Sequence, residues 1–149
     1  MFVPLTGKSI DVAWLLDQSC QVVGCELSEI AVQELFELLK LKPTIKNWGF
    51  GKVYSEEAIT IFVGDFFDLA SDDIGKIDAV YDRASMVALP PEMRNKYTRH
   101  LKEITNHAPQ LLIVFDYDQE LVPGPPFSIS EDEITAHYSD VYSIKILEE

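Results

Sequence analysis

MFVPLTGKSIDVAWLLDQSCQVVGCELSE, residues 1–29, is the stretch that decides the fold class. Met1 to Leu5 is apolar and too short for a helix, so it reads as a strand. Thr6-Gly7-Lys8 turns the chain, and Ser9 can cap a helix to about Asp17, with Ile10, Ala13 and Trp14 on one face. Gln21 to Glu26 is a second, buried strand. Ser28 then opens a second helix, with Glu29 in its first turn and Leu35, Phe36, Leu38 and Leu39 as its apolar residues. The opening is a βαβα unit.

The same alternation runs to the end of the chain. Pro43, Asn47 and Gly49 break periodicity between Leu41 and Gly51, which predicts a loop leading into a short strand at Lys52 to Tyr54. Ala58 to Val63 predicts a strand that delivers the tight turn Gly64-Asp65-Phe66-Phe67, and Ile77 to Tyr81 a further strand followed by Asp82-Arg83. Pro90-Pro91-Glu92 suits a helix start, with Met93, Tyr97, Leu101 and Ile104 on one stripe. Leu111 to Phe115 is the most apolar strand, expected at the centre of the sheet and covered on both faces. Ser130 and Glu133 have the spacing of a capping box for a helix carrying Ile134 and Tyr138, before a last strand at Tyr142 to Leu147. Such a pattern predicts one α/β domain over residues 1–149: a mostly parallel sheet, helices on both faces, and a ligand outside the C-terminal strand ends.

Composition narrows the function. The 149 residues are 47% hydrophobic, enough for one continuous core, and no stretch has the length and apolarity of a membrane span. The start lacks the basic n-region and cleavage site of a signal peptide, so a cytoplasmic protein without membrane attachment is expected. With 12 Lys and Arg against 25 Asp and Glu the net charge is −13, a field that repels phosphate backbones; nucleic acid is a poor substrate and a small molecule a better one. Cys20 and Cys25 complete no metal pattern and read as core thiols.

The strand ends gather the residues that could do chemistry: Leu5-Thr6-Gly7, Glu26, Asp65-Phe66, Asp82-Arg83 and Asp116-Tyr117. Glu26 follows Gly7 by 19 positions, close to the interval at which an acid at the end of the second strand accepts both ribose hydroxyls; an ion-paired or solvated Glu is the alternative. Gly7-Lys8-Ser9 also has the ending of a phosphate-binding loop. That pattern needs Gly five residues earlier, where this chain has Phe2, so the nucleotidase reading fails even though Leu112 to Asp116 could pass for a metal-holding strand end. Arg83 is either a site cation or the ion-pair partner of Asp82 or Asp116. His100, His107 and His137 fall on helices or just beyond one, where packing or surface roles are expected.

At these residues the chain resembles the thiopurine S-methyltransferase family, whose cofactor loop reads Pro-Leu-Cys-Gly-Lys where this chain has Pro4-Leu5-Thr6-Gly7-Lys8. The likeness continues through Val23-Gly24-Cys25-Glu26-Leu27-Ser28-Glu29, Gly64-Asp65-Phe66-Phe67-Asp68-Leu69, Tyr81-Asp82-Arg83-Ala84 and Pro123-Gly124-Pro125-Pro126-Phe127, in the family's order. It implies a Rossmann-like class I methyltransferase, a three-layer sandwich, with S-adenosyl-L-methionine as cofactor and no metal. It implies that Leu5 packs at the methionine part, beside Thr6 and Gly7, that Glu26 holds the ribose, and that Asp65 and Phe66 border the adenine. Arg83 would lie at both cofactor and acceptor as the catalytic cation, and the acceptor would be a small aromatic or heterocyclic thiol. Pro123 to Phe127 would form a rigid loop near the acceptor, or else an ordinary crossover turn. The resemblance further implies a chain cut short at both ends, lacking the family's N-terminal tryptophan-containing lid and its final strand. Hence the expectation of a monomer with an open sheet edge through which it could associate, and the alternative of a methyltransferase-like domain that binds or associates without turnover.

Overall fold

The computed structural model describes residues 1–148. Its seven strands are β1 (Phe2–Val3), β2 (Val22–Glu26), β3 (Thr44–Trp48), β4 (Gly51–Glu56), β5 (Ile59–Val63), β6 (Val80–Asp82) and β7 (Gln110–Leu112). The helices are α1 (Ile10–Asp17), α2 (Glu29–Leu38), α3 (Ser71–Ile74), α4 (Pro91–Ile104) and α5 (Glu131–Tyr138). The sheet order is β3-β4-β5-β2-β1-β6-β7; β5, β2, β1, β6 and β7 run parallel, while β3 and β4 add an antiparallel hairpin margin. From β1 the chain steps to β2 and β5 on one side and later to β6 and β7 on the other. The order therefore reverses at β1, and the crevice beyond the C-terminal ends of β1 and β6 is where this architecture takes a ligand.

Strand side chains alternate between two apolar layers, as parallel strands covered on both faces must. Val3, Val22, Ile59, Ile61 and Tyr54 pack with Val12 and Leu15 of α1 and Val32, Leu35 and Phe36 of α2. Phe2, Cys25, Phe62 and Val80 face the opposite way, onto Ile74 of α3, Tyr97, Leu101 and Ile104 of α4, and Tyr138 of α5. Each such side chain contributes about 1.5–3 kcal/mol by leaving water. This is the three-layer α/β sandwich expected from the sequence.

Several elements differ from expectation. α1 buries Val12 and Leu15 and exposes Ile10 and Trp14, so its apolar stripe is rotated from the one expected. α2 likewise buries Val32, Leu35 and Phe36 and exposes Leu38. The expected loop at 41–51 contains β3, which joins β4 through the two-residue turn Gly49-Phe50; Gly49 has φ of 52°, the left-handed conformation that hairpin turns favour. In α4 the stripe includes Arg94 in place of Met93.

The run Leu111 to Phe115 is not central. β7 is an edge strand among the described residues: Leu112 and Val114 pack on the core, while Leu111, Ile113 and Phe115 are exposed. The last strand expected at Tyr142 to Leu147 is also not formed; an extended segment becomes a strand only by pairing, and no described residue pairs with it. Only half of the expected capping box is present. Ser130 Oγ accepts from Glu133 N at 3.3 Å, but the Glu133 carboxylate turns to the buried Arg94 instead, at 2.7 and 2.9 Å.

Candidate active site

The loop after β1 is fixed by short-range chemistry. Thr6 donates to Cys25 O through N at 3.0 Å and through Oγ1 at 3.2 Å, which clamps the loop on β2. Gly7 takes φ of 53° and its N–H donates to Glu26 Oε2 at 2.7 Å; Glu26 Oε1 accepts from Ser28 N at 2.9 Å. The half-buried Glu26 thus braces both the loop and the start of α2, and each oxygen keeps a free acceptor site. Gly24 makes this approach possible: a Cβ there would collide with Thr6 Cγ2 and stand 3.0 Å from Val3 O.

The loop after β6 hangs from one buried carboxylate. Asp82, 1% exposed, accepts from Ser85 N at 3.0 Å, Met86 N at 3.3 Å and Tyr97 Oη at 2.6 Å. Burial raises its carboxyl above the ordinary value, while the bonds from Tyr97, Ser85 and Met86 pull the other way. Burial, and then the Asp82 charge, push the Tyr97 hydroxyl far up, so it is a neutral donor. Ser85 also accepts from Leu5 N through Oγ at 3.0 Å, joining the two loops directly.

Between them lies a cavity of about 470 Å³, within the range typical of small-molecule sites. Its walls include Leu5 and Thr6 from the first loop, Arg83 and Ser85 from the second, and Phe115, Pro125 and Pro126 from the segments after β7. Proline's fixed φ makes that last wall stiff. Arg83 pairs with neither Asp82 nor Asp116. Its Nη1 donates to both oxygens of Asp11 in α1, at 2.7 and 2.6 Å, and Tyr81 Oη donates to Asp11 Oδ2 at 3.2 Å.

Leu5, Thr6 and Arg83 thus meet in one cavity, with Gly7 and Glu26 joined to it through the first loop. Asp65 caps the 3₁₀ turn Phe66–Asp68, its Oδ1 accepting from Phe67 N at 2.9 Å. The Phe66 ring is a core residue, 5% exposed and packed against the rings of Phe2, Tyr97 and His100. Cys25 is buried, and burial followed by the Glu26 charge pushes its thiol up to about 12, which suits a core thiol. His100 contacts Phe66 O at 3.1 Å, His137 contacts Thr98 Oγ1 at 3.2 Å, and His107 is exposed beyond α4. Sequence reasoning missed Asp11, Tyr81, Ser85 and Arg94. Asp11 reaches Arg83 across 72 positions, a pairing without a local signal.

A sheet that reverses at β1, with its cavity at that point, has the architecture of the Rossmann-like methyltransferases. A crystal structure of Burkholderia thailandensis 1,6-didemethyltoxoflavin-N1-methyltransferase with bound 1,6-didemethyltoxoflavin and S-adenosylhomocysteine has the same fold. Its TM-score is 0.59 at 16% identity, over 93% of this chain and 58% of that one. The thiopurine S-methyltransferase family profile matches residues 1–149, and the chain belongs to that family, whose methyl donor is S-adenosylmethionine. It is 50% identical to a thiopurine S-methyltransferase of Teredinibacter turnerae, over 99% of this chain and 69% of the relative, and 46% identical to one of Xanthobacter autotrophicus, over 99% and 70%. Among the described residues no helix is long and apolar enough to cross a membrane.

Proposed function

We propose that this chain, as one cytoplasmic domain over residues 1–149, binds S-adenosylmethionine at the β1/β6 crevice and methylates the sulfur of a small aromatic or heterocyclic thiol. The observation that carries the reading is the cavity at the reversal of strand order, walled by both loops that bear the family-like motifs. Its volume and largely apolar walls suit an elongated adenosyl amino acid, and Glu26 has acceptor capacity for a ribose diol. In this reading Leu5, with Thr6 and Gly7, packs at the methionine part, Glu26 accepts from the ribose hydroxyls, and Asp65 with Phe66 borders the adenine. The bound cofactor supplies a methyl group on a cationic sulfur. Arg83 faces the acceptor, and the proline wall excludes water.

The chemistry asks little of the protein beyond position. A thiolate gives its lone pair to the methyl carbon as the old carbon–sulfur bond closes onto the donor sulfur, so an anion and a cation become two neutral products. An acidic thiol gives its proton to solvent beforehand, and no side chain is needed as general base. Holding the two sulfurs in line, with water excluded, supplies the rate.

Arg83→Ala should lower turnover of a thiophenol or thiopurine acceptor about 100-fold while changing S-adenosylhomocysteine affinity little, because the lost cation is what holds the acceptor in place as its thiolate. Unchanged turnover would remove Arg83 from the acceptor site. A second reading, a cofactor-binding domain that associates without turnover, draws on the exposed apolar residues beside β7. Measured methyl transfer by the chain would exclude it.

A further inference from the structure

Asp11 and Arg83 are the charged side chains that line the cavity. Both carboxylate oxygens of Asp11 accept from Arg83 Nη1, at 2.7 and 2.6 Å, while Tyr81 Oη, from β6 itself, donates to the same carboxylate at 3.2 Å. Among the described residues Arg83 Nε and Nη2 make no hydrogen bond of their own. Asp11 is held from its other end too: its N–H donates to Ser9 Oγ, the N-cap of α1, at 3.2 Å. The pair is asymmetric in exposure, the Asp11 side chain at 19% and Arg83 at 53%, so the anion is the fixed member and the cation the one that reaches outward.

A half-exposed pair of this kind adds little to folding stability. Its effect on the cavity is larger. A fixed guanidinium with no counter-ion would make the cavity cationic, and S-adenosylmethionine carries a permanent positive charge on sulfur that no proton loss can relieve. Cations held in one cavity repel, by an amount that solvent reduces where it reaches them, as it does the half-exposed Arg83. With Asp11 in place the walls are neutral overall, and they remain neutral after a sulfonium and a thiolate have become two uncharged products.

We infer that Asp11 is a positioning residue that balances charge: it holds Arg83 by Nη1 at the acceptor side and cancels its charge toward the cationic methyl donor, which lets one cavity accept both. The inference rests on the cofactor assignment made above. It separates two ligands of nearly identical shape, because S-adenosylmethionine carries the extra charge and S-adenosylhomocysteine does not.

The test is calorimetric titration of both ligands into the 149-residue chain and its variants, with thermal melting as the folding check. Asp11→Asn keeps an acceptor for Tyr81 and removes the charge; it should weaken S-adenosylmethionine about tenfold more than S-adenosylhomocysteine. Asp11→Glu should restore the wild-type ratio, and Arg83→Gln should move it the other way, in favour of the sulfonium ligand. Equal weakening of both ligands in Asp11→Asn, or an unchanged ratio in all three variants, would overturn the inference and leave Asp11 a structural contact. If Asp11→Asn does not fold, Arg83→Gln decides alone. Failure of the wild-type chain to bind either ligand is a different result; it removes the cofactor assignment and the inference together.

Discussion

Asp82 has the most demanding environment of any side chain near the cavity. It is buried, and three donors from the loop and α4 converge on its carboxylate. Asp82→Ala would strand all three, at a cost of about 3 kcal/mol in a urea unfolding measurement. Its pH dependence has a definite sign. Folding raises the carboxyl above the ordinary value of 3.8, so protonation favours the folded state; that contribution is complete below 3.8 and is lost as pH rises through the folded value. Asp82→Asn cannot ionise and can still bond Ser85, Met86 and Tyr97. It should gain stability relative to wild type as pH rises from 4, and a difference independent of pH would contradict the assignment. Such contacts were only partly legible in the sequence. Glu26 could be singled out by its interval from Gly7, but its bonds from Gly7 N and Ser28 N were not read. Arg83 could be singled out, but not its partner, because Asp11 sits in a helix whose rotation the sequence did not settle. At Phe66 the motif marked the turn, while the ring's packing against Phe2 and Tyr97 had no local signal.

That rotation shows why the helices were harder to phase than to find. α1 is apolar on more than one side, so Ile10 with Trp14 and Val12 with Leu15 are both acceptable helical stripes. Burial of Val12 and Leu15 against the sheet is what the fold adopts, and it leaves Asp11, four residues before Leu15, beside Arg83 and Tyr81. Strands β2 and β5 were legible for the opposite reason, whereas β1 and β6, at the cavity, are shorter than expected. A period of two with a charged or glycine end leaves little freedom, and β2 and β5 fall within a residue of expectation. β3 was hidden by its polar and exposed side chains, which mimic a loop until β4 supplies a partner. β2 also carries the tightest constraint on the cofactor loop. Gly24→Ala should push Thr6 off Cys25, destabilise the fold by about 2 kcal/mol and weaken S-adenosylhomocysteine in the same variant. Loss of stability with unaltered affinity would show that the Thr6 clamp does not position the ligand.

Across the molecule, fold and site follow from one topological fact, the reversal of strand order at β1. It brings a loop from residues 4–9 against one from residues 83–88, and Asp82, Ser85 and Leu5 lock them together. The alternation of strands and helices predicted a mostly parallel sheet with a ligand beyond its C-terminal strand ends but not the strand order, and the acidic net charge of −13 agrees with a small-molecule ligand over a polyanion. What remained illegible was the sheet margin. An apolar run such as Leu111 to Phe115 reads the same whether one or both of its sides is covered, and Tyr142 to Leu147 carries the composition of a strand without a described partner to pair with. Of those segments only Phe115 lines the cavity, and the proposed cofactor contacts at Leu5, Thr6, Gly7, Glu26, Asp65 and Phe66 lie outside them. Calorimetric titration of S-adenosylhomocysteine into the chain, beside Glu26→Ala, is therefore the most direct test. A single saturable site in the wild type, weakened at least tenfold in Glu26→Ala by loss of the ribose acceptor and of the brace on Gly7, is the expected result. Absence of heat at millimolar ligand, or equal affinity in the two proteins, would contradict it.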